Sequence, residues 1–272
     1  MQNRYAGDVG DFGKFSLLQS LFGRDTYRLG VIWYLYPDEN HNDDGGHINY
    51  LDNSDYQKCN RLLCNKLSTV IQKGRSVSAL ERAKLLPKTT VYYSAMLDFH
   101  IHHPAQTQED KHSRDVLRKQ WLGNAVSSVK DCNAVFLDPD NGLQIASCPK
   151  KSRMKAGKYV FYDEIVPLFK GKEVCVIYHH LNRHINHGTH ENQMKIRAKE
   201  LLEKVTPEGS VFALRFMPYS PRAYFILTND KNAAAIGKSI KDFMQSSCGA
   251  HWDSYFESTK MEQLGTDHDS LA

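Results

Sequence analysis

The chain predicts an α/β protein whose mainly parallel sheet is covered by helices on both faces, and three observations carry that expectation. Apolar runs such as 133–137 and 173–178 are continuous rather than alternating, as strands buried on both faces are. Helical stretches separate these runs, the pattern of parallel strands joined by crossovers. Near the end, Ser210 to Met217 and Ala223 to Asn229 meet at Pro218-Tyr219-Ser220-Pro221, a turn that predicts a hairpin placing one antiparallel strand at or near the sheet edge. With 272 residues and 41% hydrophobic content, a single domain over 1–272 is expected.

The elements follow in order. Phe12, Phe15, Leu18, Leu21 and Phe22 recur at helical spacing, with Gly23 as the stop. Leu29 to Tyr36 reads as the first core strand, with Trp33 and Tyr34 as core or pocket wall. It empties into a polar loop, Pro37 to His47, too long for a simple connector and therefore expected to bind something. A helical insertion at about 54–86 holds helices near Asp55 to Ile71 and Ser76 to Leu85. A strand at Thr90 to Ala95 and a surface loop at Asp98 to Lys111 come next. His112 to Val129 reads as a helix, basic on one face through Arg114, Arg118 and Lys119. The strand Asn133 to Leu137 precedes a Lys-rich loop (150–158) expected to be mobile and exposed. Tyr159 to Phe161 leads into Asp163-Glu164, and Glu173 to Tyr178 is another buried strand. Glu191 to Val205 reads as a charged amphipathic helix, and Asn232 to Met244 as the helix after the hairpin. A polar tail from about 262 is expected to fray.

Formal net charge is only +4, so local basic clusters say more about partners than the whole-molecule field. The six cysteines (59, 64, 132, 148, 175, 248) form no CxxC pair, which predicts reduced thiols and a cytoplasmic protein. Met1 to Tyr5 carries no apolar h-region and no apolar run reaches membrane length, so neither a secretory signal nor a membrane span is expected.

Chemistry concentrates where strands end. Phe136-Leu137-Asp138-Pro139-Asp140-Asn141-Gly142-Leu143 carries an apolar strand into a turn bearing two carboxylates and an amide. In open α/β sheets ligands sit beyond the carboxyl ends of the strands; the alternative is a turn using Asp, Pro, Asn and Gly for their backbone preferences. Asp8, Asp11, Lys14, Asp38, Glu39, Asp43, Asp44, Asp163, Glu164, His179 and His180 are expected at the same edge. So many carboxylates in one pocket call for a cation. Mg²⁺ or Mn²⁺ held by Asp8, Asp11, Asp43, Asp138 and Asp140 would make a nuclease or phosphodiesterase, with Lys14 neutralising phosphate and His179 moving a proton. Adjacent residues on a strand point to opposite faces, so at most one of His179 and His180 enters a pocket. The histidines at 179, 180, 184, 187 and 190 match no zinc spacing and read as substrate contacts or a polar edge. Arg215, Arg222, Arg114 to Lys119 and Lys150 to Lys158 could meet phosphate, with Tyr219 or Trp121 for stacking.

Two motifs carry a resemblance. The order of elements resembles the class I S-adenosylmethionine-dependent methyltransferase fold, a three-layer Rossmann-like architecture. Tyr5-Ala6-Gly7-Asp8-Val9-Gly10-Asp11-Phe12-Gly13-Lys14 looks like the opening signature of the bacterial large-subunit rRNA adenine-N6 methyltransferases. Ala6, Gly7, Asp11 and Lys14 coincide with it, and Asp8 stands where that family has Asn. Asp138-Pro139-Asp140-Asn141 takes the place of the Asp-Pro-Pro-Tyr motif of amino-methyltransferases, with Asp140 for the second proline and Asn141 for the stacking aromatic. The loop after the first strand is not glycine-rich. The resemblance implies S-adenosylmethionine held by Gly7, Asp8, Asp11, Lys14, Pro37, Asp38 and Asp43. It also implies catalysis on a nucleic-acid amine through Asp138, Pro139, Asp140 and Asn141. The missing glycine loop leaves a third expectation, a catalytically silent subunit with protein partners in a larger complex.

Overall fold

Side-chain parity along the core strands builds the fold. Leu29, Val31, Ala134, Phe136, Val174 and Val176 enter one apolar cluster, while Ile32, Val135, Leu137, Cys175 and Ile177 enter another on the opposite face. The computed structural model describes residues 1–23, 26–39, 45–182 and 188–259. Asp43, Asp44, Arg183, His184, His187 and the tail from 262 lie outside them.

Helix α1 (Val9–Phe22) precedes β1 (Leu29–Ile32); α2 (Ser54–Gln72), α3 (Val77–Arg82), β2 (Val91–Tyr93), α4 (Phe99–His102) and α5 (Gln108–Ser128) follow. Next come β3 (Ala134–Leu137), β4 (Gly142–Leu143), β5 (Tyr159–Val160), α6 (Tyr162–Phe169), β6 (Val174–His180) and α7 (His190–Lys204). The chain continues through β7 (Gly209–Phe216), β8 (Arg222–Asn229), α8 (Asp230–Met244) and β9 (Trp252–Thr259). The sheet order is β2-β1-β3-β6-β8-β7-β9, with β4 and β5 in a separate parallel pair. Strands β2, β1, β3 and β6 are parallel, and β8 runs against both β6 and β7. Phe12, Leu67, Leu80 and Ile240, from α1, α2, α3 and α8, cover one face. Trp121, Ile165 and Ala198, from α5, α6 and α7, cover the other. Because β1 has β2 on one side and β3 on the other, the strand order reverses there, the kind of switch point near which open α/β sheets bind ligands.

Several expectations are corrected. The first strand stops at Ile32 because Tyr34 adopts φ +44, a left-handed conformation that breaks the ladder; Trp33 and Tyr34 are fully buried, as expected. The expected 98–111 loop contains α4, and α5 begins at Gln108, where the Thr107 hydroxyl caps Asp110 N–H. The hairpin's antiparallel strand β8 lies between β6 and β7, and β9, pairing with β7, adds a further antiparallel strand at the edge that the sequence did not mark. The aromatic and β-branched residues of 252–259 carry no alternation clear enough to mark that strand. The cysteines are not all reduced: Cys59 on α2 is bonded to Cys248 across 189 residues. Local spacing holds no sign of a pairing made by tertiary packing, and Cys64, Cys132, Cys148 and Cys175 are free and buried. Arg114 and Arg118 form no exposed basic face; both are buried. No described helix is long and apolar enough to cross a membrane.

Candidate active site

A cleft of about 360 Å³ lies at the carboxyl ends of β3 and β6 and is closed by the start of α1. Gly7, at φ +84, turns the chain into α1, and its N–H donates to Asp11 Oδ2 at 2.8 Å. Asp8 caps the helix, its Oδ1 accepting from Asp11 N–H at 3.1 Å. One turn on, Lys14 Nζ stands 2.7 Å from Asp11 Oδ1 and 2.8 Å from Asp138 Oδ2. Asp138 arrives there by parity, continuing the face of Ala134 and Phe136 that looks toward α1.

The next turn is held from the other side. The Met1 amine donates to Tyr34 O at 3.2 Å and Asp138 O at 3.1 Å, and lies 3.7 Å from Asp140 Oδ1. Gln2 Nε2 donates to Asp140 Oδ2 at 2.9 Å, and Lys158 Nζ approaches that oxygen at 3.4 Å while also pairing with Glu39. Asp140 Oδ1 is buried and accepts no hydrogen bond. On the far wall Arg222 donates to Ser220 O and Pro218 O, bonds the Tyr178 hydroxyl, and faces Asp8 Oδ2 at 3.8 Å. Gly10 makes that approach possible, because a Cβ there would stand 2.9 Å from Arg222 Nε. At the rim His47 stacks on Tyr219 with ring centroids 4.2 Å apart.

Burial sets the charges. It pulls the Lys14 ammonium pKa down, but Asp11 and Asp138 more than reverse this, so Lys14 is held charged well above the ordinary lysine range. Asp8 is pushed up to about 6 by desolvation, against the pull of Arg222. A carboxyl titrating near neutrality inside a cleft is suited to taking up or releasing a proton.

The structure thus gathers Asp8, Asp11, Lys14, Asp138, Pro139, Asp140 and Asn141 into one cleft. Gly7 supports it from behind. Pro37 and Asp38 do not line it; exposed Asp38 accepts from Arg4 N–H at 3.2 Å. Asp43 lies outside the described residues. His179 is on the wrong face: with Cys175 and Ile177 it points into the opposite core, where Nδ1 accepts from Leu143 N–H at 3.1 Å. Desolvation lowers its pKa to about 3, so it is a neutral acceptor rather than a proton carrier. His180, one residue on, lines the cleft with Tyr178. The parity of Val174, Val176 and Tyr178 contained that signal, but not which sheet face bears the cleft. Arg215 is spent on Asp253, at 2.6 and 2.5 Å, and Trp121 is buried, its Nε1 donating to Ala95 O. Met1 and Gln2 had no sequence signal beyond residue type, and Lys158, expected among phosphate-contacting cations, instead reaches Asp140. Among the described residues no three His, Cys, Asp or Glu side chains converge on a point where an ion could sit.

Fold and site define an α/β protein with an acidic, lysine-braced cleft at the sheet's carboxyl edge. No protein-family model and no curated protein matches the chain.

Proposed function

We propose that the chain is an S-adenosylmethionine-dependent methyltransferase-like enzyme acting on an amine of nucleic acid. One observation carries the reading: the opening motif and the Asp-Pro-Asp-Asn turn, 124 residues apart at their contact, meet through Lys14 in one cleft. Strand order supports it, since the parallel strands β2, β1, β3 and β6 are continued by the antiparallel β8 of the C-terminal hairpin, the order of elements on which the resemblance rests.

The donor set fits the cofactor. Four carboxylates against Lys14, Arg222 and the Met1 amine make a cleft that favours a sulfonium cation bearing an amino group, and about 360 Å³ is within the small end of ligand pockets. S-adenosylmethionine, when bound, supplies an electrophilic methyl group. Arg222 is the cation for its carboxylate, and Asp8 and Asp11 are the acceptors for its amine. Burial raises the pKa of Asp138, and Lys14, bound to Oδ2, opposes that shift, while Oδ1 faces the target amine. The planar surface that Asn141 lacks is offered at the rim by His47 and Tyr219. Methylating an amine needs positioning and desolvation more than a strong base.

A binding-only reading is favoured by a different observation. The segment after β1 holds Trp33, Tyr34, Leu35 and Tyr36, all buried, where a backbone approach to the cofactor would call for glycine. Calorimetry separates these. Binding of S-adenosylmethionine that is lost in Arg222→Met supports methyl transfer; binding of Mg²⁺ or Mn²⁺ alone turns the reading to phosphodiester hydrolysis. Binding of neither leaves the silent subunit.

A further inference from the structure

A second concavity, a trough of about 980 Å³, runs between α5 and the 145–155 loop. Lys111, Lys150, Arg153 and Lys155 line it together with His112, against one carboxylate, Asp115. The cations are sorted. Lys151, in the same loop, pairs with Asp163 and Glu164, whereas no carboxylate among the described residues pairs with Lys111, Lys150 or Lys155. A trough walled by one sign of charge concentrates potential well beyond what a net charge of +4 provides.

The loop expected to be mobile is held in place. Arg114 donates through Nε to Ser152 O and through Nη1 to His103 O and Ala105 O, joining both walls. Arg118 donates to Ala156 O and Tyr159 O while its guanidinium pairs with Glu164. Both arginines are buried, and Arg114 Nη2 has no hydrogen-bond partner between the walls. Two buried guanidinium groups therefore preorganise a row of cations, Lys150, Arg153 and Lys155 exposed and Lys111 half-buried, which lowers the ordering cost of binding a polyanion.

The trough adjoins the cleft. Tyr159 lines the first and hydrogen-bonds Asn141, which lines the second; Lys158, beside it, reaches Asp140. We propose that this trough binds the phosphodiester backbone of a single-stranded nucleic acid and leads its bases toward the cleft. The strand's role as substrate rests on the methyl-transfer reading; its affinity for the trough does not. A single strand is the occupant proposed because its flexible backbone can follow a concavity of about 980 Å³ lined by cations on both walls and expose its bases toward the adjoining cleft.

Fluorescence anisotropy with a short labelled oligouridylate, titrated between about 50 and 200 mM salt, tests this. Four backbone contacts give log K against log salt a slope of about −3, and Lys150→Gln with Lys155→Gln brings it to about −1.4 with roughly tenfold weaker binding. Lys111→Glu on the opposite wall gives a similar loss without touching the loop. Unchanged affinity and slope in these variants overturn the trough, and equal affinity for a duplex overturns the choice of a single strand. Calorimetry on the same lysine variants keeps the two readings apart. Cofactor binding unaltered while oligonucleotide binding falls supports the trough, as does a wild-type chain that holds the oligonucleotide but no cofactor.

Discussion

Lys14 and Asp138, separated by 124 residues in sequence, are ion-paired at 2.8 Å with side chains 5% and 3% exposed. The pair is a triad, because Lys14 also holds Asp11, and it ties the first helix to the turn after β3. Removing one partner of a buried pair strands the other's charge, which costs more than the pair contributes.

Lys14→Met is expected to destabilise the fold by about 3 to 5 kcal/mol, since Asp11 and Asp138 are left facing each other. Adding Asp138→Asn should recover part of the loss. Urea denaturation of both variants checks this; a double variant less stable than Lys14→Met would contradict the pairing argument.

Asp8 makes stability depend on pH in the direction opposite to most carboxylates. Its folded pKa of about 6 lies above the ordinary 3.8, so the fold prefers the protonated form, and stability falls as pH rises from about 4 to 6. Asp8→Asn keeps an N-cap and abolishes that slope, and at pH 7 to 8 it is expected to gain about 2 to 3 kcal/mol. Denaturation midpoints across that range decide the matter, and a parallel pH profile in the variant would refute it.

His179 acts the other way. Its pKa near 3 is below the ordinary 6.5, so its contribution is complete above about 6.5 and is lost as acid protonates the unfolded chain. In proton NMR its ring should not titrate between pH 5 and 8. His179→Gln should flatten the acid limb of stability while cofactor affinity stays unchanged.

Much of this architecture was legible beforehand, and the reasons are physical. Continuous apolar runs marked β3 and β6 because strands covered on both faces tolerate no polar alternation. The cleft was legible where chemistry and turn coincide, at Asp8, Asp11, Lys14 and Asp138. His179 was misassigned because strand parity reveals that two neighbours diverge but not which face is excavated. Arg114 and Arg118 looked like a solvated stripe, since helical spacing does not disclose that backbone carbonyls of a distant loop will surround them.

Gly142 is expected to be irreplaceable for steric reasons. It sits at φ +110, and a Cβ there would lie 2.6 Å from the Cα of His179. Gly142→Ala combines left-handed strain with a backbone clash and should cost about 2 kcal/mol or more. A melting temperature unchanged in this variant would count against the β4 geometry.

Reductant should lower the unfolding free energy by the amount that Cys59→Ser with Cys248→Ser does, about 3 to 5 kcal/mol for so long a closed loop, with a matching fall in the denaturation midpoint. A midpoint insensitive to reductant in the wild-type chain would show that the bridge contributes nothing.

The same bridge has a consequence for cleavage. Cys59 and Cys248 enclose most of the sequence, so a protease that nicks an exposed bond between them, as at the 103–107 turn, leaves two pieces that still migrate as one. Only after thiol treatment would an electrophoresis gel resolve them, and a nicked molecule can therefore keep the halves of its acidic crevice together.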